Sequence, residues 1–436
     1  MRKTLISSVA ASALTSRTPR PNDELVPIAA AIKSATAEYA TMQAEGKPTT
    51  AQIKAANLMN RQAIVASALR RQQEISNTSF APTTQTVLNI QPRYAGLILG
   101  FFVTVIATMT LGTNNALLTQ FGPSNLIQQV RFDDLSNNTR IQTTGWHLNA
   151  VNTAKAKQPF NACDTINNYP VAYGNVFTND IAVAPSTLTT AGGTAKFTYW
   201  VPLAYSELDL RGAMWANVVN ATANLQLTLS TSAQACVAAN ADPTGAVYQF
   251  DGTGATFTIT NYNVVVHQVY YDQLPVDQKG NQILPVIDLS TLYMLTNTTL
   301  TGLVTGNDFP IPYANFRSFL STTVIWDNAN AGVYNAQGTD INYWLLQTAN
   351  FTNIFKYPPW FAGIYERMAI NDDFPKGMYY FDSRAKPINT IQYGNQQLII
   401  NPLGTVNAGA NLRVGWEMFA ITNTLVGAAS LAGGGA

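Results

Sequence analysis

The sequence is short of the residues on which most catalytic and metal sites depend. Its 436 residues include two histidines and two cysteines. Cys163 and Cys236 are too few for a disulfide framework and have no CxxC spacing, so we expect free thiols in a reducing cytoplasm. His147 and His267 stand about 120 residues apart, a separation that predicts no shared ligand set. His267 follows three valines, where a structural histidine is expected.

Catalytic motifs are also missing. The chain contains no GxSxG elbow, no HExxH helix and no phosphate-binding loop. Asp133–Asp134 and Asp372–Asp373 are adjacent pairs, but neighbours on a strand face opposite sides, so we interpret them as turn caps. Clustered basic and aromatic motifs for nucleic acid do not occur after residue 80. The sequence therefore predicts no enzyme, no cofactor, no metal site and no sequence-specific binding of nucleic acid.

Charge is scarce and unevenly distributed. Charged residues make up 11% of the chain, against roughly 25% in typical soluble domains. Because charged side chains are depleted in interface cores, this composition predicts large surfaces buried against copies of the same chain. Up to Ile75 there are ten Lys/Arg and five Asp/Glu, whereas the rest of the chain has 15 and 19. A cationic segment on a mildly acidic body predicts an anionic partner, either a lipid surface or a nucleic acid.

Residues 1–79 are predicted to form a basic helical arm. Asn22–Asp23 can cap a first helix that ends near Pro48, and a second helix is expected from about Thr50 to Ser76. Periodicity leaves two alternatives open, a solvated helix packed on its own barrel or an amphipathic arm on anionic lipid. The first residues imitate a secretory signal, but their apolar stretch is mostly Ser and Ala, so export is less favoured.

The remainder of the chain is predicted to be β-structure. Tyr94–Gly112 carries no charge, but its β-branched residues and glycines favour two buried strands joined by a turn over a membrane helix. Leucines alternate with polar residues from Leu225 to Leu229, and apolar residues alternate again from Leu412 to Met418. The phase shifts after Asn261, which predicts a bulge. No helix-sized period separates the strands, so a sandwich or barrel is expected.

Length predicts two β-domains behind the arm. We assign the first to residues 80–275 and the second to residues 276–426, with a flexible tail over 427–436. The polar stretch from Asp272 to Pro285, which contains prolines near both ends, is the best candidate for the joint between them.

Several long blocks of this sequence resemble the major capsid protein of tectiviruses, the tailless icosahedral phages with an internal membrane. They keep their order from Phe80 to about Val426 and cover nearly the whole body. The blocks are FGPSNLIQQV (121–130), GWHLNAVNTAK (145–155), YWVPLAYSELDLRGAMWANV (199–218), ILPVIDLSTLY (283–293), GTDINY (338–343), TANF (348–351) and DFPKGMYYFDSRAKPINTIQYGN (373–395).

The resemblance implies an all-β double jelly-roll, two eight-stranded β-sandwiches in tandem, preceded by the helical arm. It also implies a homotrimer with a pseudo-hexagonal footprint and an N-terminal helix that faces the viral membrane, which favours lipid as the arm's partner. The family's single helix corresponds here to about Thr50–Ser76. Residues 1–48 are an extension for which the resemblance implies no role.

We therefore expect a major capsid protein that is synthesised in the bacterial host cytoplasm and tiles the virion shell. Its expected partners are itself, neighbouring trimers, lipids of the internal membrane, and minor capsid and vertex proteins. An exported carbohydrate-binding jelly-roll, suggested by the signal-like start and by Asn-x-Ser/Thr sites, is the alternative. The cations expected to face the membrane are Arg2, Lys3, Arg17, Arg20, Arg61, Arg70 and Arg71.

Overall fold

The computed structural model contains two β-barrels that lie side by side. It describes residues 64–82, 86–119, 121–156, 187–207, 209–216, 222–238, 245–252, 256–273, 291–328, 341–348, 353–370, 377–390 and 394–421. The predicted joint beyond Gln273, the tail, the signal-like start, Asp372–Asp373 and Cys163 lie outside the described residues.

The first barrel is formed by the described strands up to Asp272. They are β1 (Leu69–Phe80), β2 (Val87–Ile90), β3 (Leu97–Leu111), β4 (Ala116–Leu118), β5 (Ile127–Asp133), β6 (Thr139–Thr143), β7 (Thr187–Leu188), β8 (Gly193–Pro202), β9 (Met214–Trp215), β10 (Asn224–Leu229), β11 (Cys236–Val237), β12 (Tyr248–Phe250) and β13 (Phe257–Asp272). Its helices are a 3₁₀ turn (Gly122–Leu126), α1 (Gly145–Ala156) and α2 (Ser232–Ala235).

The second barrel follows from Thr291. Its strands are β14 (Thr291–Thr301), β15 (Phe309–Pro312), β16 (Arg317–Asp327), β17 (Ile341–Thr348), β18 (Asn353–Tyr357), β19 (Met378–Asp382), β20 (Ile388–Asn389), β21 (Gln396–Pro402) and β22 (Asn411–Ile421), and its helix is α3 (Pro359–Ile370).

Both barrels have the same strand order. In the first, β1-β13-β3-β8 lies against β2-β10-β5-β6; in the second, β14-β22-β16-β19 lies against β15-β21-β17-β18. When the eight principal strands of each barrel are numbered along the chain, both barrels read 1-8-3-6 against 2-7-4-5. This is the jelly-roll topology, so the predicted double jelly-roll is confirmed.

The two barrels share one sheet. β14 pairs in parallel with β6 through Leu295–Ile141 and Thr296–Gln142 and thereby merges one sheet of each barrel into a nine-stranded sheet. Backbone hydrogen bonds therefore run across the junction between the barrels.

The predicted helical arm ends earlier than the sequence indicated. Residues 64–67 are helical, but β1 begins at Leu69, and it pairs antiparallel with β13 from Leu69–Asp272 to Phe80–Tyr262. The prediction of a helix up to Ser76 was therefore wrong. The absence of glycine and proline favours a helix locally, but pairing with a long neighbouring strand overrides that preference. β1 is the first principal strand, so the first barrel begins before residue 80.

The uncharged run near residue 100 is one strand rather than two. β3 is continuous from Leu97 to Leu111, and Gly100 lies within it at an irregularity in its pairing with β13. The face of Phe101, Val103 and Val105 is buried as the alternation predicted. The phase shift after Asn261 is confirmed, since the pairing with β3 changes register between Ile259 and Asn261.

Two 12-residue helices, α1 and α3, interrupt the strands, so the expectation of a body without helix-sized segments was wrong. α1 is buried around most of its circumference and shows little of the amphipathic period by which a surface helix is recognised. Across the described part of the chain, no helix is long and apolar enough to cross a membrane.

Candidate functional site: the junction between the barrels

Helix α1 forms the centre of the junction. It starts at Gly145, where any side chain would overlap the Ser124 carbonyl oxygen, so the helix begins in close contact with the 3₁₀ turn. Leu148 and Val151 belong to the core of the first barrel. The stripe formed by Trp146, Ala150 and Ala154 packs instead against second-barrel side chains, Ile325, Met378 and Tyr380.

His147 fits against a strand of the other barrel. A Cβ atom at Gly415 of β22 would overlap the His147 ring. Glycine has no side chain, and this leaves room for α1. His147 Nδ1 lies 2.6 Å from the Thr143 hydroxyl oxygen. Burial lowers the pKa of His147 to about 4, although the charge of Glu417 acts in the opposite direction. The imidazole is therefore neutral at physiological pH and serves as a packing residue.

A buried ionic cluster lies at the other end of α1. Glu417 of β22 is fully buried, and its carboxylate lies 3.3 Å from Lys155 Nζ and 3.0 Å from Arg384 Nη2. The Tyr293 and Ser321 hydroxyls donate to the same carboxylate at 2.7 and 2.9 Å. Lys155 is the first barrel's contribution, and the other four residues belong to the second. Lys155 Nζ also donates to the Tyr205 carbonyl oxygen at 2.9 Å.

The charges of this cluster shift one another's pKa values. Burial alone would raise the pKa of Glu417, but Lys155, Arg384 and the two hydroxyls lower it to about 2. Burial lowers the pKa of Lys155 to about 8, with Glu417 opposing the shift. Both groups are thus mainly charged at neutral pH, and the carboxylate is saturated with donors.

Aromatic rings close the remaining space between the barrels. The Arg211 guanidinium of the first barrel lies 4.3 Å from the ring centroid of Phe419 in the second. Tyr205 packs edge-on against Tyr293, with ring centroids 6.1 Å apart. Apolar packing, cation–π contacts and an ion pair therefore all connect the first barrel to the second.

This arrangement holds surfaces together and offers no reactive group. Within the described ranges, no three or more His, Cys, Asp or Glu side chains lie close enough to hold a metal ion. Cys236 is a buried free thiol, and burial raises its pKa to about 12, which keeps it protonated and unreactive.

Asp134 accepts hydrogen bonds from the Ser136 and Asn138 backbone N–H groups, so it caps a turn as predicted.

Comparison with known proteins identifies the family. A family model described as P3 major capsid protein N-terminal matches residues 28–274, and one described as P3 major capsid protein C-terminal matches residues 290–433. The chain is 42% identical over 384 residues to Major capsid protein P3 of Enterobacteria phage PRD1, covering 87% of this chain and 95% of that relative. The chain belongs to the P3 major capsid protein family. The predicted tectivirus-type capsid protein is thus confirmed.

Solved structures support the fold independently. The crystal structure of the STIV MCP matches with a TM-score of 0.58 at 13% identity and covers 81% of this chain and 97% of that one. An atomic structure of Sulfolobus Turreted Icosahedral Virus matches with a TM-score of 0.57 at 12% identity, covering 81% and 91%. At such low identity the likeness concerns the fold alone.

Membership in the P3 family decides between the functional alternatives. The chain is a major capsid protein of a PRD1-like virus, located in the shell of a bacteriophage virion, and it is a structural protein rather than an enzyme. The alternative of an exported carbohydrate-binding protein is set aside on the same ground.

The two family models leave a gap between residues 274 and 290, the region in which the sequence predicted the joint.

The cations predicted to face the membrane divide into two groups. Arg2, Lys3, Arg17, Arg20 and Arg61 lie outside the described residues. Arg70 and Arg71 lie at the start of β1, not on a helix, and each contacts an acid of the first barrel. Arg70 Nη2 is 2.6 Å from Glu207, and Arg71 Nε is 2.8 Å from Asp272, with 40% and 44% of the two arginine side chains exposed.

The junction residues were missed by sequence reasoning, although two of them carry a recognisable signal. Lys155 is the only charged residue in the block from Gly145 to Ala156, and Glu417 of β22 stands between Trp416 and the apolar run Met418–Ile421. A charge within such a run predicts a buried partner. The sequence does not indicate which residue that partner is.

Proposed function

We propose that three copies of this chain assemble into a capsomer of six barrels that tiles an icosahedral shell. The observation that carries the proposal is the repetition of one topology in two barrels fixed by a buried junction. A contact that joins the second barrel of one copy to the first barrel of the next is head-to-tail, and such contacts close into a ring when each copy is rotated by an exact fraction of a turn. Three chains of two equivalent barrels would complete a six-membered ring.

Contacts between capsomers are expected to be weak individually. The chain has few charged residues and many Asn, Thr and Gln side chains, which suit wet, polar interfaces. Many such contacts acting together produce a stable shell, while each one alone stays reversible during assembly. Minor capsid and vertex proteins are proposed to occupy the positions that the trimers do not fill.

The basic N-terminal segment is proposed to contact an internal lipid membrane. Each cation near an anionic bilayer contributes on the order of 1 kcal/mol. Arg2, Lys3, Arg17, Arg20 and Arg61 are the main candidates. Arg70 and Arg71 contribute less in this proposal, because Glu207 and Asp272 already balance their charges.

Native mass spectrometry of the purified protein tests the assembly proposal. The expected species has three times the mass of the 47.2 kDa chain. A single-chain mass at all protein concentrations would contradict the trimer, and a dimer would contradict the six-membered ring.

A further inference from the structure

The base of each barrel is the end at which its first principal strand begins. In the first barrel, β1 and β3 both begin opposite the last residues of β13, so the loop before β3 lies at the base. In the second barrel, β14 and β16 begin opposite the last residues of β22, which places the loop before β16 at the base as well. β14 runs parallel to β6, the fifth principal strand of the first barrel. Because the first and fifth strands of a jelly-roll run in the same direction, both bases face the same side of the chain.

Each of these two base loops presents an exposed aromatic ring next to an arginine. The loop before β3 carries Arg93 and Tyr94, and the loop before β16 carries Phe316, which is followed by Arg317. Tyr94 is 41% exposed and Phe316 is 61% exposed. Within the described ranges neither arginine forms an ion pair, in contrast to Arg70. The two bases therefore share a pattern of one exposed ring and one uncompensated positive charge.

Buried polar side chains hold both loops in place. Gln268 is fully buried, and its side-chain amide accepts a hydrogen bond of 2.8 Å from the Arg93 backbone N–H and donates one of 2.9 Å to the Arg93 carbonyl oxygen. Thr390 is also buried, and its hydroxyl accepts from the Arg317 backbone N–H at 3.0 Å and donates to the Ala314 carbonyl oxygen at 2.9 Å. The backbone of each loop is thus fixed, and the exposed rings belong to a defined surface.

Phe316 is unfavourable for the isolated chain in two ways. Its φ of +59 lies in the left-handed region, which disfavours residues with a bulky side chain. Its ring gains little from burial, because 61% of the residue is exposed. The matching loop of the first barrel has a glycine in this conformation, Gly96 with φ +60. A strained residue that its own fold does not require points to a contact outside the chain.

The charge and chemistry of the base favour a lipid bilayer as the partner. Aromatic side chains prefer the boundary between head groups and acyl chains, and arginines near that boundary attract anionic head groups. Ile64, the first described residue, belongs to one apolar cluster with Leu97 and Tyr271 at the base. The basic segment that precedes Ile64 therefore enters at the same end. A planar partner can also meet the loops of both barrels at once.

We propose that Tyr94 and Phe316 insert into the head-group region of an anionic phospholipid bilayer, with Arg93 and Arg317 paired to lipid phosphates. The contact rests on the proposed function, in which this chain meets an internal membrane, and it adds an attachment that is separate from the N-terminal segment. The rings gain there the burial that the chain alone does not provide. Both barrels then stand with their bases against the membrane.

Removal of the two rings tests the aromatic part of this contact. The base variant combines Tyr94→Ser with Phe316→Asn, since asparagine tolerates the positive φ at position 316. The control variant combines Val304→Asn with Leu403→Ser, which removes exposed apolar side chains from loops at the opposite end of the second barrel. On vesicles of phosphatidylglycerol, the base variant should partition roughly tenfold less than the wild type, and the control variant should match the wild type.

The outcomes of this flotation experiment separate the ring contact from the proposed function. If the wild type floats with the vesicles and the base variant floats equally well, the insertion of the rings is overturned while the membrane contact stands. A wild type that does not float would contradict both. Native mass spectrometry and a melting curve check that both variants keep the assembly state and the fold of the wild type.

Replacement of the two arginines tests the pairing with phosphates. Arg93→Gln with Arg317→Gln should lower partitioning on phosphatidylglycerol by roughly tenfold and leave partitioning on uncharged phosphatidylcholine unchanged. Unchanged partitioning on phosphatidylglycerol would contradict the pairing of these arginines with lipid.

Fluorescence quenching tests the depth of the loops and keeps an aromatic group at each site. A fluorescent amino acid is placed in turn at positions 94, 316 and 304, and the protein is bound to vesicles that contain a nitroxide-labelled lipid. Quenching is expected at positions 94 and 316 and not at position 304, whose loop lies at the far end of the second barrel. Bound protein without quenching at positions 94 and 316 would overturn the proposal, even where the N-terminal segment holds the chain on the vesicle.

Discussion

Lys155 in the first barrel and Glu417 in the second form a buried ion pair, with 3.3 Å between Lys155 Nζ and Glu417 Oε1. Buried ion pairs often add little net stability, because the desolvation of both charges offsets their attraction. Removing one partner is costly, however, since the other charge is then left uncompensated. We therefore expect this pair to contribute to a specific relative position of the barrels more than to net stability.

Replacing the buried carboxylate should destabilise the protein. In Glu417→Gln, Lys155 and Arg384 lose the charge that compensates them, and we expect the free energy of unfolding to fall by roughly 3–5 kcal/mol. Urea unfolding at pH 7 measures the change. Glu207→Gln is the matched control, because Glu207 forms an exposed pair with Arg70 and should change stability by less than about 1 kcal/mol. Equal effects would contradict the role assigned to Glu417.

The same junction predicts a loss of stability in acid. The pKa of Glu417 is lowered from 4.5 to about 2, so its contribution is complete above pH 4.5 and is lost as the pH falls toward 2. The pKa of His147 is lowered from 6.5 to about 4, so its contribution is lost earlier, from pH 6.5 toward 4. The free energy of unfolding, measured from pH 7 to pH 2, should decrease across both windows. The Glu417→Gln variant should show a shallower decrease below pH 4.5.

Filling the space at Gly415 should push the barrels apart. A methyl group there overlaps the His147 ring, so Gly415→Ala should lower the free energy of unfolding by roughly 1–3 kcal/mol. Gly245→Ala serves as the control, because its Cβ would meet only the Arg413 guanidinium, at 3.9 Å. Thermal unfolding of both variants checks the prediction, and a control that loses as much stability as Gly415→Ala would argue against it.

Phe316 carries backbone strain that a glycine would remove. It has φ +59 and is exposed, and the matching loop of the first barrel has Gly96 at φ +60 in the same place before the third principal strand. Phe316→Gly should therefore stabilise the chain by up to about 1 kcal/mol, since glycine adopts positive φ freely. Asn137→Gly, at φ +57, should gain less because asparagine tolerates this conformation. A destabilised Phe316→Gly variant would show that the ring contributes contacts that outweigh the strain.

Binding to anionic liposomes should depend mainly on the cations before β1. Replacing Arg2, Lys3, Arg17, Arg20 and Arg61 with Gln is expected to reduce flotation with anionic vesicles strongly, and more so at low salt. Replacing Arg70 and Arg71 with Gln should have a smaller effect, because both are paired with acids. Trimers should persist in both variants. Unchanged flotation of the five-residue variant would remove those cations from the membrane proposal.

The sequence predicted those parts of the fold that depend on local alternation. The strands around Leu225 and Leu412 were readable because one face of each is buried, and the bulge near Asn261 was readable as a change of phase. β1 was mistaken for a helix, because its assignment depends on pairing with β13, far away in the sequence. Local preference carries no information about such a partner.

The junction was less accessible from sequence than the barrels. α1 packs on both barrels, so its apolar residues show no single stripe, and its small residues Ala150 and Ala154 are informative only beside Ile325 and Met378. Family resemblance predicted two barrels in one chain. It did not predict that Lys155 and Glu417 would join them, because that contact depends on the position of one folded barrel against the other.

Negative-stain electron microscopy of the purified wild-type protein tests the central claim most directly. If each chain contributes two equivalent barrels to a closed ring, the images should show a compact particle with six lobes and three-fold symmetry. A particle with two lobes would be a single chain and would contradict the proposed capsomer.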